Sequence, residues 1–168
     1  MGATRAAGEG RASLGEVAGW GLSGDANHMT GPSRDGGGLA AAIRQALGKA
    51  GIGPRDIGSI SAHGTGTVYN DSMEMKAFRQ VFGDGAVPVY SVKGSIGHTM
   101  GAAGLVEMIL ALKSLAAGLI PPSANLADID PEAAGWVSAT ATPAPAMRMA
   151  LSTNSGFGGV NSALVLRV

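Results

Sequence analysis

The chain has 168 residues, 45% of them apolar and 14% charged, and its basic and acidic side chains cancel to a net charge of zero. That length suits one buried core, and the neutrality argues against an electrostatic footprint for nucleic acid. The lack of cysteine excludes disulfides, thiolate metal sites and a cysteine nucleophile within this chain.

The charged fraction is low for a globular domain, which fits a surface partly covered by a partner. Residues 1–12 read as a loose arm, without the apolar core of a signal peptide. Ala6 breaks the pattern for acylation at Gly2. A domain is expected over 13–168. LGEVAGWGL (14–22) reads as a strand, and SGDANHMTGPSRDGGG as a turn-rich link. Leu39, Ile43, Ala46, Leu47 and Ala50 recur on one helical face, which GIGP then ends. DIGSISA (56–62) is a short strand running into HGTGT. Asp71 is placed to cap a helix reaching Phe82.

VPVYSV (87–92) is a further strand, running into KGSIGH. The helix from Gly101 to Ala117 is apolar nearly all round, hence central. Glu107 and Lys113 make its neighbourhood too polar for a good membrane span. A soluble, cytoplasmic protein with no membrane contact is the expectation. Past a Pro- and Asp-marked loop, GWVSA (135–139) is a candidate short strand. MRMALSTNS (147–155) and SALVLRV (162–168) flank GFGGV as a hairpin. The order βαβαβαββ predicts an α/β fold with a mixed, mainly parallel sheet and helices packed on it.

Chemistry concentrates after two of these strands. Ligands of parallel α/β sheets gather beyond the carboxyl ends of strands. His63 follows one strand, and Lys93 and His98 follow the next. Two imidazoles meeting there could donate two N–H groups to one oxygen. Gly64, Gly66, Gly97 and Gly101 would let a substrate approach the backbone. Taken singly, either histidine reads first as a loop residue or a satisfied packing residue. KGSIGH lacks the spacing of a phosphate-binding loop, and no spacing here matches a common zinc site. Neither a metal nor a cofactor is expected.

Four ordered blocks carry a resemblance. AHGTGTVYNDSMEMKAF, PVYSVKGSIGHTMGAAGLVE, IPPSAN and STNSGFGGVNSALV look like the C-terminal half of a β-ketoacyl-ACP synthase, a ketosynthase of the thiolase superfamily. SGDANHMTGP extends the likeness toward residue 14. The resemblance implies one half of a duplicated thiolase-like fold, with a mixed five-stranded sheet. In that family a cysteine is acylated, and malonyl-ACP then loses its carboxylate and attacks the thioester. His63 and His98 match the two histidines of the family's Cys-His-His set. The resemblance gives both of them hydrogen-bond donation to the developing enolate oxygen, a contribution of about 3 kcal/mol each. Lys93 matches the lysine that organises the second histidine, and its charge disfavours protonation of a nearby imidazole. Glu107 matches a buried glutamate of this network, and its apolar neighbours favour that over the alternative of an exposed helix residue. Thr65 and Thr67 match contacts to the pantetheine arm, against simple turn hydroxyls. Phe157 matches a gatekeeping phenylalanine whose backbone N–H serves the oxyanion hole. His28 falls in a shared motif but receives no catalytic role.

The sequence departs from the family pattern in three ways. The nucleophilic cysteine belongs to the family's N-terminal half and has no substitute here. Ser61 stands where a glutamate is usual, and Ser155 and Val160 replace a phenylalanine and a threonine. The expected partners are therefore an acyl carrier protein, and either a cysteine-bearing N-terminal half or a second copy in a homodimer. The leading expectation is the histidine half of an acyltransferase that is inactive alone. The alternatives are a non-catalytic subunit of the chain-length-factor type and an inactive isolated domain.

Overall fold

A computed structural model describes residues 2–168. A five-stranded sheet runs through it, made of β1 (Glu16–Gly24), β2 (Ser59–Ser61), β3 (Val89–Tyr90), β6 (Met149–Gly156) and β7 (Val160–Arg167) in the order β1-β7-β6-β2-β3. The strands β2, β3 and β6 are mutually parallel, whereas β1 and β7 pair antiparallel. The sheet is thus mixed as expected, but only half of its pairings are parallel. The reason is the tight hairpin of β6 and β7, which makes β7 run against the other four strands, so both of its pairings are antiparallel.

Alternation along the strands divides the core. Leu151 and Val165 are cross-strand partners, as are Ala150 and Leu166. The first pair packs with Leu39, Ile43 and Leu47 of α2 (Gly37–Ala50) and Phe78 of α3 (Val68–Phe82). The second packs with Ala111, Leu112 and Leu115 of α5 (Ala103–Ala117) on the other face. Close approach of α2 to β1 depends on Gly21, where a Cβ would come within 1.9 Å of the Ala42 carbonyl oxygen.

Several expectations need correction. The stretch read as a loose arm contains a short helix, α1 (Ala3–Gly8). Thr67, not Asp71, is the cap residue of α3, and Asp71 lies in its first turn. GWVSA forms no strand; Val137 makes only an isolated bridge to Val89. A two-stranded sheet of β4 (Leu119–Ile120) and β5 (Thr142–Pro143) was not foreseen. Met100–Ala117 has, at a mean hydropathy of 1.5, the length and composition of a membrane span. In the fold this stretch packs one face on β6 and β7 around a buried, paired carboxylate, but only 28% of it is buried, so the expectation of a central helix holds for that face alone.

Candidate active site

The parallel register brings the site together. Ser61 pairs with Ser152 on one side and with Tyr90 on the other. Two residues further along, His63, just past the end of β2, therefore stands level with Asn154 of β6, with Lys93 just past β3 in the four-residue helix α4 (Lys93–Ile96). His98 follows on the next loop. The His63 and His98 rings lie 5.2 Å apart, centroid to centroid, at 80° to each other. His63 is buried and His98 exposed, both lining a cleft of about 1330 Å³.

A buried ionic network supports His63. The Lys93 ammonium pairs with Glu107, donates to the His63 carbonyl, and stands 3.4 Å from His63 Nδ1. Glu107 is 1% exposed, so the reading of it as an exposed helix residue fails. Lys93 has its contacts with the first histidine, and not with the second as the resemblance implied. Burial, reinforced by the Lys93 charge, pulls the His63 pKa from 6.5 down to about 4. The imidazole is therefore neutral at physiological pH.

The hydrogen bonds also set tautomers. A carboxylate only accepts, so Asn154 gives its NH₂ to Glu107 (2.8 Å) and turns its carbonyl to His63 Nδ1 (3.1 Å). In the resting site His63 accordingly carries its proton on Nδ1. His98 Nδ1 instead accepts the Met100 N–H at 3.2 Å, which leaves its proton on Nε2. The resting site thus offers one imidazole N–H donor and one bare ring nitrogen.

Sequence reasoning missed two supporting residues. Glu74, on α3, spans the His63 and Gly64 N–H groups with its two oxygens at 2.8 and 2.7 Å, and it also accepts from Asn70. The signal was a lone acid between Met73 and Met75, both buried. Asn154 gave no signal, because its partners lie 47 and 91 residues away. Of the remaining expected residues, Thr65 and Thr67 line the cleft with hydroxyl oxygens 2.8 Å apart. Phe157, 76% exposed, lines it from the β6–β7 turn, and Gly158 N–H ties that turn to the Met29 carbonyl at 2.7 Å. Ser61, which replaces the usual glutamate, is fully buried, and its hydroxyl has no partner among the described residues.

A fold that delivers two histidines, a lysine and a glutamate in this way matches a known family. Residues 14–127 fit the model of the beta-ketoacyl synthase, C-terminal domain, and the chain belongs to that family. It is 41% identical over 157 residues to 3-oxoacyl-[acyl-carrier-protein] synthase 2 of Vibrio cholerae, a match covering 90% of this chain and 38% of the relative. The ishigamide ketosynthase/chain length factor superposes with a TM-score of 0.92 at 39% identity, over 99% of this chain and 41% of that one. A type II polyketide ketosynthase solved in complex with its acyl-carrier protein gives 0.92 at 31% identity, again over 99% and 41%. The chain thus spans about two-fifths of the length of these relatives. Its architecture is that of the thiolase-like ketosynthases.

Proposed function

We propose that this chain is the histidine-bearing half of a β-ketoacyl-ACP synthase acting in fatty acid or polyketide biosynthesis. It would support decarboxylative Claisen condensation of malonyl-ACP with an acyl group held on a cysteine outside these residues. The observation that carries this reading is the convergence of His63 and His98 from separate loops on one cleft.

In that reaction the bond to the malonyl carboxylate breaks and carbon dioxide leaves. The electron pair passes into an enolate, whose carbon attacks the acyl thioester and expels the cysteine thiolate. Negative charge grows on the malonyl thioester oxygen, and preorganised N–H donors there lower the barrier. His98 is a donor in its resting form. His63 is the second donor in its Nε2–H form, reached when the Nδ1 proton passes to solvent and one is taken up at Nε2, with Lys93 then donating to Nδ1. A neutral His63 suits this role, because an imidazolium would lose its proton to the enolate and quench it.

The partners follow from the same reading: an acyl carrier protein, as in the complexed relative, and a cysteine-bearing half or a second copy. A chain-length-factor-like role is the second reading, favoured by the likeness to the ketosynthase/chain length factor structure. Malonyl-ACP decarboxylation by the chain co-purified with a cysteine-bearing half decides between them. His98→Ala should abolish turnover. Unchanged turnover in that variant would remove the catalytic reading.

A further inference from the structure

Among the residues lining the cleft, Asp25 and Arg34 carry the formal charges. Asp25 is engaged, accepting from Asn161 Nδ2 at 2.7 Å and from the Ser33 N–H at 2.9 Å. Arg34 has no carboxylate partner among the described residues. Its guanidinium lies instead over the Tyr69 ring, 4.4 Å from the centroid. Such a contact orients the planar fork and leaves its N–H donors free.

The backbone on both sides of Arg34 is fastened. The Ser33 hydroxyl donates to Asp35 at 2.8 Å, and the Asp35 carbonyl accepts Gln80 Nε2 at 2.6 Å. Gly36, at φ 72°, lies so close to α3 that a Cβ would come within 2.6 Å of the Met73 carbonyl oxygen. The loop bearing Arg34 is thereby locked to the helix bearing Tyr69. Both residues are exposed, whereas His63 in the same cleft is buried. The free cation therefore stands at the solvent end of a path that ends at the buried His63 imidazole.

We propose that Arg34, held by Tyr69, is an anion site that takes the phosphodiester of the carrier's phosphopantetheine arm. The inference rests on the reading of this cleft as the thioester channel. The arm is neutral along its amides and carries its charge at the phosphate, so one uncompensated cation at the entrance meets its one charged group. A guanidinium fork binds phosphate oxygens in a bidentate manner. A carboxylate on the carrier surface would offer similar chemistry, and the test separates the two.

Calorimetric titration of the protein with 4′-phosphopantetheine and with pantetheine tests the site. The phosphorylated ligand should bind about tenfold more tightly, the increment of one charge-assisted contact. Arg34→Gln should erase that preference, Tyr69→Leu should reduce it, and pantetheine alone should bind all three proteins equally. The preference should also shrink as salt is raised. Equal binding of both ligands to the wild type, or an intact preference in Arg34→Gln, would overturn the site yet leave the channel standing. Binding of neither ligand would overturn both. If Arg34→Gln weakens carrier protein equally with and without its arm, the cation serves carrier carboxylates and the phosphate assignment is wrong.

Discussion

One carboxylate oxygen of Glu74 accepts the backbone N–H of His63 at 2.8 Å, from a position 2% exposed to solvent. The two residues titrate in opposite senses. Burial pushes Glu74 up from 4.5 to about 7, against the pull of its N–H donors, while burial and Lys93 bring His63 down from 6.5 to about 4. Folded Glu74 keeps a proton that the unfolded chain has lost, so its contribution to stability falls as pH rises from 4.5 to about 7. Unfolded His63 takes a proton that the folded protein refuses, so its contribution is lost as pH falls from 6.5 to about 4. The slopes cancel where the windows overlap. Relative to wild type, Glu74→Gln should gain stability with rising pH and His63→Ala should lose it. The limiting slope is about 1.4 kcal/mol per pH unit for one proton. Urea denaturation from pH 4 to pH 7 measures this, and three parallel curves would contradict it.

Lys93 and Glu107 form a buried ion pair between α4 and α5. Removing one partner strands the other charge without water. Lys93→Met or Glu107→Leu alone should destabilise the fold by about 3–5 kcal/mol. The double variant leaves no stranded charge and should lose much less than the sum of the two. Chemical denaturation of all four proteins gives the coupling. Additive losses would mean that the pair acts as two separate packing residues.

The parts of the fold visible in the sequence were those written in local periodicity. Leu39, Ile43, Ala46 and Leu47 mark α2, and the glycines around Phe157 mark the β6–β7 hairpin. The histidines were visible because each follows a strand and because HGTGT and KGSIGH belong to recognisable blocks. What escaped depended on which strand lies beside which. DIGSISA and VPVYSV were read as full strands, yet the ladders keep only Ser59–Ser61 and Val89–Tyr90. Asn154 acquires its place only because β6 is the neighbour of β2. The assignment of Lys93 to the second histidine came with the resemblance, whereas the sheet puts Lys93 on His63.

Gly21 shows how a strand residue can be fixed by a helix. With a Cβ 1.9 Å from the Ala42 carbonyl oxygen and 2.9 Å from Gln45 Cβ, alanine fits only if α2 moves off β1. Gly21→Ala should cost about 1–3 kcal/mol through overpacking. Gly21 is level with Thr153 through Ala163, but β7 and β6 lie between it and His63, so the His63 ring environment should stay as it is. Denaturation together with histidine NMR spectra reads both effects. A fully stable variant would mean that the spacing of α2 and β1 is soft.

Asn154 decides which nitrogen of His63 carries the proton. Its amide is anchored by Glu107 at 2.8 Å, so its carbonyl faces Nδ1 and demands a hydrogen there. The Lys93 ammonium, 3.4 Å from the same nitrogen, makes the opposite demand and is the more distant of the two. Nitrogen-15 NMR of the imidazoles should therefore show His63 as the Nδ1–H form and His98 as the Nε2–H form. Replacing Asn154 with leucine removes the nearer demand and leaves Lys93 to donate. The His63 proton should then move to Nε2, and the two ring-nitrogen shifts should exchange places. An Nε2–H form of His63 in the wild type would instead mean that Lys93 outweighs the amide and that both imidazoles are donors at rest.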